Sequence, residues 1–160
     1  MTDMLVKLYE LPPLAPLVAE QEAAGIRIMR AMGANKQMVV DWVRANFGEL
    51  WANECDVSFS HNPISCFLAV DDKQLIGFAV YDVSRKNFFG PTAVLEGYRG
   101  RSIGKVLLVA CLQAMADAGY GYAIIGGAGP TGFYAKNVGA IPIKGSVPGI
   151  YKDLVGRELG

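Results

Sequence analysis

The sequence predicts an α/β domain of the α+β kind, with a mixed, mostly antiparallel central sheet flanked by helices on both faces. Three observations predict it. Strand-like runs over Cys66–Val70, Leu75–Tyr81 and Phe88–Leu95 follow one another across short polar turns, the pattern of an antiparallel meander. A helical run over Ser102–Ala118 then places Ile103, Val106, Leu107, Ala110, Cys111, Ala114 and Met115 at apolar positions. A further strand, Tyr120–Ile125, follows that helix, so the sheet gains a crossover and mixed strand directions. The chain has 160 residues, 52% of them hydrophobic and 19% charged. That is room for one domain with its own core, and it is not the composition of a disordered chain.

The elements can be justified in order. Met4–Tyr9 reads as a short strand, ended by Leu11-Pro12-Pro13. Leu14–Ala24 reads as a helix stopped by Gly25, and residues 25–30 alternate apolar and polar as a strand does. Asn35 is placed to cap a helix to Phe47, with Met38, Val39, Trp42, Val43 and Phe47 on one face. Gly48–Pro63 has no clean period. In the meander, Asp71-Asp72-Lys73 is a hairpin turn and Asp82–Asn87 a second turn. Gly119 stops the long helix; Pro130–Val138 reads as a short helix, and Ala140–Ile143 and Val147–Tyr151 as final strands.

Several function classes fall on composition. Fifteen basic and fifteen acidic side chains cancel, so net charge argues for neither nucleic acid nor a membrane surface as partner. The charge is unevenly spread: residues 1–82 hold 6 basic and 11 acidic side chains, and residues 83–160 hold 9 basic and 4 acidic. The C-terminal half therefore suits an anionic ligand. Cys55, Cys66 and Cys111 are an odd number with no C-x-x-C, and His61 is the sole histidine, so no metal-site spacing exists. The longest uncharged run, Ala118–Ala135, holds six glycines and Pro130 and is too broken to span a bilayer. The N-terminus lacks a basic n-region. A reduced, cytoplasmic protein is expected.

The chemistry-bearing stretch is Val94-Leu95-Glu96-Gly97-Tyr98-Arg99-Gly100-Arg101-Ser102-Ile103-Gly104-Lys105. It joins a strand to the start of the strongest helix, where exposed N–H groups and the helix dipole favour an anion. Arg99, Arg101 and Lys105 add three positive charges. Ser102 has two readings: strained if the site needs positive φ, or a helix N-cap whose hydroxyl faces a phosphate; the second is the expected one.

Arg99-Gly100-Arg101-Ser102-Ile103-Gly104 resembles the pyrophosphate loop, [Q/R]-x-x-G-x-[G/A], of the GCN5-related N-acetyltransferases, with Ser102 where that family usually has glycine. Phe133-Tyr134-Ala135-Lys136-Asn137-Val138-Gly139-Ala140 is similar to the family's L-Y-x-K-x-G-F segment, and the element order agrees over residues 25–155. An asparagine common in the family seven residues before the tyrosine is Gly127 here. The resemblance implies one acyl-CoA N-acyltransferase domain over residues 25–160, with residues 1–24 as a strand–helix extension packed on it.

The resemblance also implies roles. Residues 99–105 would hold the pyrophosphate of acetyl-CoA, the cosubstrate. The strand end at Val94 and Leu95 would pair with its pantetheine arm, and Gly126 and Gly127 suit the opening between strands that receives it. Tyr134 is the implied acid for the leaving thiolate; its competing reading is a core aromatic. The acceptor would be a small-molecule or peptide amine, attacked directly, and dimerisation is common in the family. Glu54, Asp56, His61, Asp82 and Glu96 are base candidates without a motif; Trp51, Glu54, His61 and Asp82 are the substrate-site candidates. The alternative is a module that binds acyl-CoA as a sensor without turnover. A rival motif, Gly127-x-Gly129-x-x-Gly132, matches a dinucleotide loop, but Pro130 removes a donor and too little chain follows to complete a doubly wound sheet.

Overall fold

The computed structural model describes residues 1–156. The last four residues of the expected domain, 157–160, lie outside the described residues. The elements run β1 (Met4–Lys7), α1 (Leu14–Ala23), β2 (Ile26–Arg30), α2 (Lys36–Phe47), α3 (Glu49–Ser58), β3 (Cys66–Asp71), β4 (Gln74–Tyr81), β5 (Phe88–Val94), α4 (Ile103–Asp117), β6 (Tyr122–Ile125), α5 (Thr131–Val138) and β7 (Ile141–Pro142). Among the described residues they form one seven-stranded sheet in the order β2-β3-β4-β5-β6-β1-β7. Every pairing is antiparallel except β5 with β6. This is the mixed, mostly antiparallel sheet that the sequence predicts, and it is incompatible with a doubly wound dinucleotide fold.

The sheet separates two apolar layers. Side chains from alternate strand positions meet α4 on one face, where Met4, Val6, Ile76, Phe89, Leu107, Leu108, Leu112 and Ile125 are buried. The other positions meet α2 and α3, where Val39, Val43, Ala52, Cys55, Leu68, Phe78 and Val80 are buried. The alternation follows from the two-residue period of a strand. Cys55, Cys66 and Cys111 are free, buried thiols. At Gly77 a Cβ would lie 3.2 Å from Leu107 Cδ1, so the missing side chain lets α4 lie close on β4.

The N-terminal piece is woven into this frame. β1 pairs with β6 over Met4–Lys7 and with β7 at Met4 and Leu5, so it is a strand within the sheet. α1 then packs against α4. The β3–β4 turn closes tightly on Asp71↔Gln74, with Asp72 at φ 55°. In β5, Gly90 and Pro91 stand opposite the single residue Val80, which is a β-bulge. Proline suits that position because it has no N–H to lose from the ladder.

Three expectations are corrected. The stretch Gly48–Pro63 contains α3, hidden from a periodicity reading because Leu50, Trp51 and Val57 are exposed on the helix that buries Ala52 and Cys55. Val147–Tyr151 is not a strand: Gly149–Asp153 is a 3-10 turn, since Pro148 cannot donate to a ladder and Gly149 stands at φ 63°. On α2 the core face is Val39, Val40 and Val43, while Met38 is 50% exposed and Asn35 makes no side-chain cap.

Candidate functional site

The site is built where β5 and β6 part. They pair only at Phe88↔Ile124 and Phe89↔Ile125; β6 ends there while β5 continues to Val94. The Gly90–Pro91 bulge lies at the point of divergence, and a bulge bends its strand. Leu95 N–H donates to Ile76 C=O on β4, at 2.8 Å. Strand alternation then turns the N–H and C=O groups of Val94 and Thr92 to the β6 side, where no described strand pairs with them. The result is a fork with one polar edge. Of the two strand residues expected there, Val94 presents its amide to the fork and Leu95 does not; Thr92 joins it, which the sequence reading missed.

At the open end of the fork the chain makes a 3-10 turn, Glu96–Tyr98, and enters α4. No backbone N–H from Gly100 to Lys105 finds a protein acceptor among the described residues. Gly100 (φ 79°) and Ser102 (φ 64°) both adopt the left-handed conformation, which folds these donors around one concavity. The expectation for Ser102 is therefore corrected. It occupies the N-cap position, but its hydroxyl makes no capping bond and its backbone sits where glycine is favoured. Arg99 Nε donates to Val94 C=O at 3.3 Å, and the Arg101 guanidinium lies 4.9 Å from the Tyr98 ring centroid. None of Arg99, Arg101 and Lys105 forms an ion pair among the described residues. Unpaired donors and the positive end of the dipole of a fifteen-residue helix meet at the start of α4, with three cations on the same segment, a donor set of the kind a pyrophosphate requires.

The loop is held from outside. Gln21 on α1 is buried and its Nε2 donates to Arg101 C=O at 2.7 Å. Tyr98 donates its hydroxyl to Asp71 Oδ2 at 2.6 Å. Neither tether has a sequence signal, because each joins residues that are far apart in the chain.

Two polar groups flank the vertex of the fork on opposite faces. On the α4 face, Tyr134 is buried, with its ring 6.4 Å from that of Phe89 and 5.1 Å from that of Phe133. Its hydroxyl bonds to no other described residue, and burial pushes its pKa up. On the α3 face, Glu54 is half-buried and accepts the Ser84 hydroxyl at 2.7 Å. Burial raises its carboxyl, and the Ser84 bond partly opposes that. Tyr151 closes this side: a Cβ on Gly126 would lie 2.6 Å from the Tyr151 hydroxyl and 2.9 Å from Phe88 Cδ2. Burial first, then the Glu54 and Asp3 carboxylates, raise the Tyr151 phenol. Gly127 donates its N–H to Asp3 Oδ1 at 2.8 Å, which ties the end of β6 to the N-terminal strand.

The remaining candidates separate. Trp51 belongs to an aromatic cluster with Phe47 and Phe78 and is 38% exposed. His61 and Asp82 line a different cavity, at the C-terminal end of α4. Asp56 pairs with Lys36 at 3.2 Å, and Glu96 is exposed beside the loop that leads into α4. Glu54 reaches the vertex of the fork through Ser84 and Tyr151, and Tyr134 through Phe89.

The comparisons with known proteins agree with this geometry. The family model described as acetyltransferase (GNAT) family matches residues 35–140, about two thirds of the chain. Among curated proteins there is no match. The chain is similar in fold to a GCN5-related glucosamine N-acetyltransferase region of a fungal multi-domain β-N-acetylglucosaminidase, with TM-score 0.72, 13% identity, and 89% of this chain and 19% of that chain covered. It is similar also to a GCN5-related N-acetyltransferase from Sphaerobacter thermophilus, with TM-score 0.65, 16% identity, and 89% and 48% covered. A third, from Kribbella flavida, gives TM-score 0.61, 16% identity, and 88% and 53% covered. The chain thus spans about half or less of the length of these solved structures. With the fork, the anion loop and the family match in agreement, the chain belongs to the GNAT family of acetyltransferases.

Proposed function

We propose that this protein transfers the acetyl group of acetyl-CoA to the nitrogen of an amine by direct attack. The observation that carries the reading is the fork: an open strand edge that starts at the anion loop and ends between a phenol on one face and a carboxylate on the other. The backbone donors of residues 100–105, with Arg99, Arg101 and Lys105, would hold the pyrophosphate. Thr92 and Val94 would hold the pantetheine amides as a neighbouring strand would. When bound, acetyl-CoA supplies an activated acetyl thioester.

An alkylamine with a pKa near 10.4 is only about 0.04% neutral at pH 7. A proton acceptor beside the amine is therefore needed. Glu54 serves as that base: its raised carboxyl is a stronger acceptor than an ordinary glutamate, and Ser84 orients it. Tyr134 donates a hydrogen bond to the departing sulfur. Because its burial makes it a weaker acid, stabilisation by that bond matters more than full proton transfer. Gly126 gives Tyr151 and Phe88 room to pack against the end of β6, since a side chain there would collide with both. A cytoplasmic location, read from the cysteine usage, and a homodimer, by analogy with the family, belong to the same reading.

The test is thermal unfolding with acetyl-CoA, CoA or NAD at about 1 mM, followed by thiol release over a panel of amines. Ligand at 100 times its Kd stabilises the fold by about 2.7 kcal/mol. A shift with acetyl-CoA but not NAD, with amine-dependent thiol release, is the expected result. Binding without turnover of any amine would assign the chain as an acyl-CoA sensor instead. No shift with acetyl-CoA would overturn the reading.

A further inference from the structure

A second cavity, of about 550 Å³, lies under the C-terminal end of α4, at the opposite end of that helix from the anion loop. The fifteen residues of α4, about 22 Å of helix, separate it from the anion loop. Its walls come from the end of β2, the α3–β3 loop, the β4–β5 turn and the last turn of α4. The proposed transfer uses none of its residues.

The cavity is lined by charges of both signs that do not pair. Arg30, Lys86, Asp82 and Asp117 all line it, and none forms an ion pair among the described residues. Arg30 is half-buried and held in place: its guanidinium lies 4.7 Å from the Phe67 ring centroid, and Nη1 donates to Ile64 C=O at 2.6 Å and to the Tyr81 hydroxyl at 2.9 Å. Its Nε and Nη2 find no acceptor among the described residues. That leaves the pair of donors that receives a carboxylate in bidentate fashion. A half-buried guanidinium satisfied only by neutral acceptors is an incomplete arrangement, since such charges are normally compensated. His61 adds a donor or acceptor at Nε2, because its Nδ1 is engaged with Ser65 Oγ at 2.8 Å.

The other end of the cavity wants a cation. α4 has no basic residue in its last turn, so the negative end of its dipole is uncompensated there, and Asp117 adds a carboxylate. Asp82 is held rigidly: one oxygen accepts Asn87 N–H at 2.8 Å and the other the Tyr120 hydroxyl at 3.1 Å. A simple polyanion such as phosphate would meet Arg30 and Lys86 but be repelled by these two acids. A molecule with a carboxylate at one end and an ammonium at the other closes both gaps.

We propose that this cavity is a second binding site for a zwitterionic small molecule, a free α-amino acid, with its carboxylate on Arg30 and its ammonium toward Asp117 and the C-terminal end of α4. The site is independent of the acyl-transfer reading, because that reading gives none of the cavity's residues a role.

The test is thermal unfolding and calorimetric titration of the full chain with the L-amino acids one at a time, beside acetate, methylamine and inorganic phosphate at equal concentration. At least one amino acid should bind saturably and at least tenfold more tightly than acetate, methylamine or phosphate. Arg30→Gln and Asp117→Asn should each weaken it at least fivefold, while Glu54→Gln, at the fork, leaves it unchanged. Asp117 is exposed, so its variant serves if Arg30→Gln does not fold. Absence of amino-acid binding overturns the proposal. So does acetate or phosphate binding as well as the best amino acid, and so does loss of binding in Glu54→Gln with Asp117→Asn unaffected.

Discussion

Replacing Ser102 with glycine should stabilise this protein, although serine is ordinarily one of the best residues to start a helix. Ser102 sits at φ 64° and ψ 12°, and its side chain makes no capping bond. A left-handed backbone costs a residue with a Cβ about 1–2 kcal/mol. Glycine avoids that cost but loses about 0.5–1 kcal/mol through its greater freedom in the unfolded chain. At the centre of these ranges the difference is a gain of about 0.75 kcal/mol, or about 1.5–3 °C in Tm for a chain of this size. Ser102→Ala keeps the Cβ and removes a hydroxyl that bonds to nothing, so it should stay within about 0.5 kcal/mol of wild type. A capping serine would behave in the opposite way: Ala would cost about 1 kcal/mol and Gly a few tenths. Calorimetric unfolding of the three proteins separates the two cases. A Ser102→Gly protein that melts below wild type, beside a Ser102→Ala protein destabilised by a full kcal/mol, would refute the reasoning. Acetyl-CoA affinity should not fall in Ser102→Gly, because the loop keeps its backbone path.

Tyr134→Phe should lower kcat for acetyl transfer at least tenfold, read by thiol release. It should change stability by less than about 1 kcal/mol, since the hydroxyl has no protein partner to lose; a kcat within twofold of wild type would remove Tyr134 from the mechanism. Burial raises the Glu54 carboxyl, so its folded form keeps a proton that the unfolded chain has already released. Stability from this group is complete below the ordinary carboxylate range and is lost as pH rises through the raised value. Glu54→Gln should therefore melt close to wild type near pH 4 and above it at pH 8, and it should abolish the low-pH limb of the wild-type rate profile. Equal melting differences at both pH values would contradict this. Gln21→Ala removes the tether on Arg101 C=O at 2.7 Å. It should raise the Kd for acetyl-CoA several-fold while leaving the kcat of the saturated enzyme near wild type, measured by titration and by initial rates.

Much of this protein is legible one segment at a time. The meander from Cys66 to Val94, the helix Ile103–Asp117 and the glycine- and arginine-rich loop before it are local patterns, and each appears where the spacing places it. The candidate anion loop could be found because its chemistry resides in consecutive residues: helix N-terminal N–H groups and nearby cations. α3 escaped because Leu50, Trp51 and Val57 are exposed on the same helix whose Ala52 and Cys55 are buried, so its apolar side chains do not trace one stripe.

The sequence alone determined the sheet class and the glycine- and arginine-rich loop at the start of α4, because periodicity and helix-end electrostatics act over a few residues, while Tyr134 was singled out by resemblance to the family's segment. Tertiary structure decided the rest. It placed β1 between β6 and β7, because strand neighbours are chosen by pairing across the whole chain. It turned Ser102 to positive φ, because the path from β5 into α4 demands that turn more strongly than serine resists it. It seated Glu54 beside Ser84, and it sent His61 and Asp82 to another cavity. A carboxylate becomes a candidate base through burial and neighbours, and both are properties of the folded chain.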